Sequence, residues 1–544
     1  MVSPESEHRT PETTVTPKQS SQPIQPIQPM SIQDAETETD DAVIGKPWMY
    51  KPIVRIGRWE APWFASPEMQ LVLVSFVCFL CPGMYNAVSG LGGGGQINPI
   101  DVNNSQTALY STFAVVGFFA GSIANRIGLR LTLSLGGFGY FLYVASLLSY
   151  NINQNAGFLI FAGALLGVCS GLLWCAQGAV MMSYPHEHEK GKYIAIFWVI
   201  FNLGGGVIGS LVPLGQNMHS TAGNVNNGTY IAFLVLMALG FVLCWGLVDS
   251  KYIKRGDGSR VIAIKNPTWK SEFLGLWETL RTDYYIILMF PMFLASNWFY
   301  GYHFNAVNLA YFTVRTRALN SLLYWLMQMV GAFVFGQLLD LPCLSRPARA
   351  KLNFGVLVAI TLGIWGGGYV FQRQYTRETA RGDKDFTDSG YVGPMFLYMF
   401  YGFYDAAFQT CTYWYMGSLS NNSRKLANFA GFYKGIQSAG AAGMWRYVPS
   451  FRLILVVIAD HVLFCRLDAQ KTPYMTEFAS CWGMLLGSML IASPIVFFKV
   501  KDSTAVEDDL AFSDETTADV LGETIEGPHE YEKPESHEDA SSKA

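Results

Sequence analysis

Gly121-Ser122-Ile123-Ala124-Asn125-Arg126-Ile127-Gly128-Leu129-Arg130 is a short basic turn set between two apolar runs, about 107–125 and 131–150. Each run has about 20 residues, the length that crosses roughly 30 Å of hydrocarbon at about 1.5 Å per residue. Working outward from this pair, equivalent windows recur near 69–90, 157–182, 193–215, 229–249, 284–304, 318–339, 352–371, 392–416, 426–445 and 476–498. Together they make about twelve. The expected fold is an all-α membrane protein whose first partner is the lipid bilayer.

Composition points the same way. Of 544 residues, 51% are hydrophobic and only 14% charged, against about 25% charged in an average globular chain. That shortage of polar surface excludes a water-soluble enzyme, and no basic block suggests nucleic acid. Cys78, Cys81, Cys169, Cys175, Cys244, Cys411 and Cys481 lie in apolar runs, where a thiol packs as a small hydrophobe. No second Cys or His pair stands at zinc spacing, and P-loop, Ser-His-Asp and H-E-x-x-H patterns are absent. Neither a metal, a cofactor nor an enzymatic role is expected.

The charges gather in tails and loops. Residues 1–55, rich in Pro, Gln, Ser and Thr, and the acidic 501–544 are expected to be disordered. No basic segment followed by an apolar one marks a cleaved signal peptide. Residues 251–283 separate six windows in 60–250 from six in 284–500. This loop carries Lys251, Lys254, Arg255, Arg260, Lys265, Lys270 and Arg281, so the positive-inside rule assigns it and both termini to the cytoplasm. Arg126 and Arg130, Lys190 and Lys192, Arg346, Arg349 and Lys351, and Arg424 and Lys425 then share that side. The opposite loops 91–106 and 216–228 lack Lys and Arg and hold glycosylation sequons at Asn103 and Asn227. Loop 372–391 dissents, with Arg373, Arg377, Arg381 and Lys384 outside among four acids. Plasma membrane and endomembrane both remain open.

Six windows, a basic loop and six more resemble the layout of the major facilitator superfamily, two six-helix bundles. The opening decapeptide resembles that superfamily's G-x-x-x-D-R-x-G-x-R/K signature, with Asn125 where Asp is usual. The resemblance implies a cytoplasmic latch built from Gly121, Asn125, Arg126, Gly128 and Arg130, weakened by loss of the acid. Gly336-Gln337-Leu338-Leu339-Asp340 stands at the equivalent place after the eighth window, as parallel repeats require.

Gly83-Met84-Tyr85-Asn86-Ala87, Tyr184-Pro185, Lys190-Gly191-Lys192-Tyr193 and Asn202-Leu203-Gly204-Gly205 narrow the resemblance. So do Arg315-Thr316-Arg317-Ala318-Leu319-Asn320 and Gly431-Phe432-Tyr433-Lys434-Gly435-Ile436-Gln437-Ser438. In combination they resemble the fungal branch of the uncoordinated-93-like family over roughly 60–500. That family implies the major facilitator fold and straddles two roles. The expected function is secondary-active or facilitative transport of a small solute or ion by alternating access. The alternative is a regulatory or trafficking partner of an ion channel or receptor.

Ionisable groups inside spans are costly and face the bundle interior. Asp405 and Lys434 stand near the middle of the tenth and eleventh windows, at equal depth on antiparallel neighbours. An ion pair between them either gates a path or couples protons, or is a fixed structural pair. Asn86, Gln177, Asn202, Asn297, Gln328, Gln409 and Gln437 are candidates for a hydrogen-bonding pocket, with Trp174, Trp298, Tyr404 and Trp414 as aromatic walls. Each amide alone reads equally as an interhelical hydrogen bond. His303, toward the outer end of the seventh window, reads as a satisfied or solvated histidine rather than a proton relay.

One stretch does not belong. Residues 447–465, YVPSFRLILVVIADHVLFC, add a thirteenth apolar window that would send the acidic tail outside. Arg446-Tyr447-Val448 and Phe464-Cys465-Arg466 can be spelled as intron donor and acceptor sites, so the stretch is expected to be a translated intron.

Overall fold

Ser66 opens the first long helix: its hydroxyl accepts from the Met69 amide at 3.2 Å, with Pro67 in the first turn. Asn155 does the same for Phe158 at 3.1 Å and Ser345 for Ala348 at 3.4 Å. Such caps satisfy first-turn amides that have no helical carbonyl to reach. Gly128, at a φ of 84°, turns the chain between two helices in a conformation costly to any residue with a Cβ.

The computed structural model describes residues 46–504 except 54, 57–58, 61, 91–98, 212–226, 257, 259–260, 262–276, 278, 282 and 446–472. Among these, twelve helical rods follow in order. They are α1 (67–90), α2 (Pro99–Ile127), α3 (Leu129–Asn153), α4 (Ala156–Ser183), α5 (190–211) and α6 (Asn227–Leu243). Then come α7 (284–311), α8 (Val314–Leu339), α9 (Arg346–Gln372), α10 (Val392–Ser418), α11 (Ser423–Trp445) and α12 (Tyr474–Phe498). A hairpin of two-residue strands, β1 (Arg55–Ile56) and β2 (Trp59–Glu60), precedes α1. Eight rods are long and apolar enough to cross a membrane; α6 and the start of α7 are shorter apolar helices. Long α10 and α11 miss that standard because their interiors carry Asp405, Gln409, Lys434 and Gln437, alongside many tyrosines.

Three rods widen into π turns: α1 at Phe79–Gly83, around Pro82, α5 at Leu203–Ile208 and α7 at Tyr302–Leu309. Proline withholds an amide from the ladder, which a wide turn accommodates. The first two turns meet, and a Cβ on Gly205 would collide with the Gly83 backbone.

Within the first six rods, α4 packs on α2 and α3, α3 on α6, and α1 on α5. In the second six, α10 packs on α8 and α9, and α12 and α11 on α7. The halves meet where α2 and α4 touch α11 and where α5 touches α8. Glycines make that closeness possible. Gly163, Gly167 and Gly171 of α4 face α2, while Gly117 and Gly121 of α2 face Gly431, Gly435 and Asn428 of α11.

Some expectations shift. α2 begins at Pro99, not near 107, because its polar first turns are held by the protein: Tyr150 donates to Asp101 at 2.8 Å and Ser105 to the Leu159 carbonyl at 2.8 Å. Asn103 therefore stands in a helix rather than a loop, and Asn227 is the exposed first residue of α6. The dissenting loop 372–391 spends part of its charge internally, while Arg373, Arg381 and Lys384 are exposed. Arg377 pairs with buried Glu477, Arg373 lies 5.6 Å from the Tyr369 ring, and Arg315 grips Asp385. The stretch 447–465 lies outside the described residues, as do most of both tails.

Candidate functional site

Three polar pairs spaced four residues apart, one turn of helix, converge from three rods. They are Tyr324 and Gln328 on α8, Asp405 and Gln409 on α10, and Tyr433 and Gln437 on α11. Residues at i and i+4 share a helix face. Asp405 is wholly buried and accepts from the Tyr324 hydroxyl at 3.0 Å, from Gln328 Nε2 at 2.5 Å and from Gln409 Nε2 at 2.8 Å. Its carboxylate is thus solvated by neutral donors. No ion pair to it is present among the described residues.

Lys434 is nearly as buried, and three rings enclose its ammonium: Trp174 at 4.7 Å, Tyr433 at 4.7 Å and Tyr413 at 5.2 Å from the ring centres. Such faces attract a cation through the ring quadrupole. Trp174 comes from α4, so the ammonium sits on the contact between the halves. Among the described residues its hydrogen bond runs to Gln437 Oε1 at 2.8 Å.

The expected Asp405–Lys434 ion pair is replaced by a chain. Gln437 Nε2 donates to Gln409 Oε1 at 3.2 Å and to Asn297 Oδ1 at 2.9 Å, and Gln409 in turn donates to Asp405. Two amides therefore stand between acid and base.

Of the other candidates, Gln328, Asn297 and Trp174 join this cluster. Gln177 donates to Met181 Sδ at 3.3 Å on its own helix, with no hydrogen-bond partner for Oε1 among the described residues. Asn202 is buried with no hydrogen-bond partner for either amide atom among the described residues, and Asn86 is half-buried on α1. Trp298 turns to Ser480 on α12 and Tyr404 accepts from Thr361 on α9, both away from the carboxylate. Trp414 lies at the end of α10 beside Asp340.

The latch candidates occupy the side on which the described chain begins and ends, called the terminal side below. Asp340, at the end of α8, accepts from the amides of Gly191 at 3.0 Å and Lys192 at 2.6 Å. It thereby caps α5 across the halves. Asn125, at the end of α2, makes the related contact with α11 more loosely, donating to Arg424 O at 3.4 Å and Asn428 Oδ1 at 3.5 Å. The helix dipole favours an acid over an amide at such a place. Burial pushes the Asp340 carboxyl up to about 6, more than the two amides lower it. Gly121 packs on Asn428, while Arg126 is exposed and Arg130 lies 5.6 Å from the Trp245 ring.

Residues outside the candidate set read from the sequence complete both places. Tyr324 and Tyr433 donate into the buried cluster; helical i, i+4 spacing of polar residues on three rods was the available signal. At the terminal side, Lys190 donates to the Gly417 carbonyl at the end of α10, to the Ser420 carbonyl just beyond it and to Asn421, and Arg346 pairs with Glu187 at 3.1 Å. His303, read from the sequence as satisfied or solvated, is instead wholly buried with no hydrogen-bond partner for Nε2 among the described residues, its ring stacked on Tyr401 at 4.1 Å and its Nδ1 3.4 Å from the Tyr324 hydroxyl.

Comparison with known proteins agrees with this architecture. The Major Facilitator Superfamily model matches residues 71–444. An UNC93-like protein of Schizosaccharomyces pombe is 50% identical over 468 residues, covering 85% of this chain and 88% of that one. UNC93-like protein 1 of Arabidopsis thaliana is 42% identical over 448 residues, 81% of this chain and 93% of that one. Among solved structures, the transporter FucP in its outward conformation superposes with a TM-score of 0.55 at 12% identity, covering 79% of this chain and 98% of FucP. The proton:xylose symporter XylE gives 0.56 at 11%, over 82% and 98%. Both likenesses concern the fold. With twelve rods in two sets of six and close relatives along most of its length, the chain belongs to the major facilitator superfamily and, within it, to the UNC93-like proteins.

Proposed function

We propose that this protein carries a small solute or ion across its membrane by alternating access, and that the charge on Asp405 governs which side is open. The terminal side, rich in Lys and Arg, faces the cytoplasm in this reading. One observation carries it: a buried carboxylate solvated only by neutral donors is joined through Gln409 and Gln437 to an ammonium that rests on Trp174 of the other half. A purely structural charge is normally paired. Here the two charges are kept apart by rotatable amides, at the surface where the halves must slide. Taking a proton or a solute at Asp405 would loosen Gln409 from it, free Gln437 and let Lys434 leave its aromatic seat. The Asp340, Lys190 and Arg346 contacts hold the terminal side shut meanwhile.

Flux in liposomes tests this. Purified protein is offered a panel of ions, sugars, amino acids and organic acids. Saturable uptake of one class, slowed at least roughly tenfold by Asp405→Asn, is expected. Uptake unchanged by that substitution would overturn the role given to Asp405, and folded protein moving nothing would overturn transport.

A further inference from the structure

We propose that His303 and Tyr324 form the proton-transfer limb that loads and unloads Asp405, making the proton the coupling ion. This rests on the reading of Asp405 as the governing acid. Three side chains donate to that carboxylate, and two of them, Gln328 and Gln409, are amides that hold their protons. The Tyr324 hydroxyl donates to it at 3.0 Å and the Tyr300 hydroxyl also borders it; the His303 Nδ1 lies 3.4 Å behind the Tyr324 oxygen, which singles out Tyr324. A hydroxyl both donates and accepts, so it can pass a proton on.

Because Tyr324 donates to Asp405, the neighbouring His303 Nδ1 must be the donor toward Tyr324. The remaining lone pair is then on Nε2, which has no hydrogen-bond partner among the described residues although the imidazole is wholly buried. A histidine kept for packing alone would normally satisfy both nitrogens. The groups around it are Tyr302 on its own rod, Tyr324 of α8, Trp365 of α9 and Tyr401 of α10. None of these carries a formal charge that would repel an imidazolium. Its rod is wide at this point, within the π turn Tyr302–Leu309, a feature frequent at functional sites.

The step balances. A proton adds to Nε2; the Nδ1 proton moves to the Tyr324 oxygen as the Tyr324 hydroxyl proton moves to Asp405 Oδ2. His303 is left neutral in its other tautomer, Tyr324 is unchanged and Asp405 is neutral. Reversal of the sequence discharges it.

Infrared spectroscopy of the reconstituted full-length protein after a pH jump tests the limb. The protonated-carboxyl band of Asp405, assigned by its loss in Asp405→Asn, is followed in time. Tyr324→Phe and His303→Ala are expected to slow its growth at least roughly tenfold with the end point retained. Added imidazole should restore the rate in His303→Ala, which a packing role would not allow. Unchanged rates in both variants, or slowing confined to Tyr300→Phe, whose hydroxyl also borders Asp405, would overturn the limb. Absence of any Asp405 band at any pH would instead remove the underlying reading.

Discussion

Asp405 and Lys434 share one polar cluster without touching: Gln409 donates to the carboxylate at 2.8 Å, Gln437 donates to Gln409 at 3.2 Å, and Lys434 donates to Gln437 at 2.8 Å. A direct buried pair would make each partner indispensable to the other, since stranding one charge costs about 3–5 kcal/mol. Here each charge has neutral partners of its own. Lys434→Met, which keeps an apolar stem in the aromatic cage, is expected to cost less than about 2 kcal/mol in thermal unfolding of the purified protein. A loss in the range of a stranded charge would contradict the amide chain.

The seam between α2 and α11 gives a second prediction. A Cβ on Gly121 would lie 2.5 Å from Asn428 Oδ1 and 2.7 Å from the Ala427 carbonyl. Gly121→Ala should cost about 1–3 kcal/mol through overpacking and favour separation of the two helices. Gly128 has nothing within 4 Å of such a Cβ, but its φ is 84°. Gly128→Ala should therefore cost about 1–2 kcal/mol from backbone strain alone and leave the seam intact. Cross-linking between cysteines on α2 and α11 distinguishes the two effects: yield falls for the first variant and holds for the second.

Asp340 supplies the pH dependence. Its carboxyl ordinarily titrates near 3.8 and is pushed to about 6 by burial where the two halves meet at the terminal side. Closing therefore takes up a proton in that window, so acid favours closure. The closed form should gain population as pH falls through about 6, level off below about 4, and lose ground as pH rises. Labels across the terminal side, read at several pH values, check this, and Asp340→Asn should flatten the curve. A shift of the opposite sign would show that the two amide donors outweigh burial.

On the opposite side, Arg377 pairs with Glu477, whose side chain is 1% exposed. Arg377→Gln should lower stability by about 3–5 kcal/mol, seen as a drop in Tm. Combining it with Glu477→Gln should recover much of the loss, because the buried charge is then gone. Additive losses would mean that packing, not charge, holds this contact.

Much of this was legible in the sequence. Apolar windows recover all twelve rods, since hydrocarbon thickness sets their length whatever the packing. Boundaries are weaker: α2 starts at Pro99 because Asp101 and Ser105 find partners on α3 and α4, which no hydropathy window registers. Asp405, Lys434, Gln409 and Gln437 were visible as polar residues in apolar runs. Their connection was not, because equal depth on neighbouring helices does not say which faces meet. Tyr324 and Tyr433 went unnoticed since tyrosine is at home in a membrane helix, and its hydroxyl matters only beside an acid or an amide. The terminal-side contacts between the halves were half legible. Asn125 pointed to a weak first-half contact, while the grip of Asp340 on the start of α5 needed the fold.

The proposed dependence of the open side on the Asp405 charge can be tested as a distance. Cys343 is exposed on the terminal side, and the other described cysteines are buried. With Cys465 replaced by serine and Arg126→Cys added, two spin labels report the separation of the α2–α3 turn from the α8–α9 turn. Two populations are predicted, with Asp405→Asn moving weight decisively from one to the other under otherwise identical conditions. A single separation, or two whose weights ignore Asp405, would contradict the account.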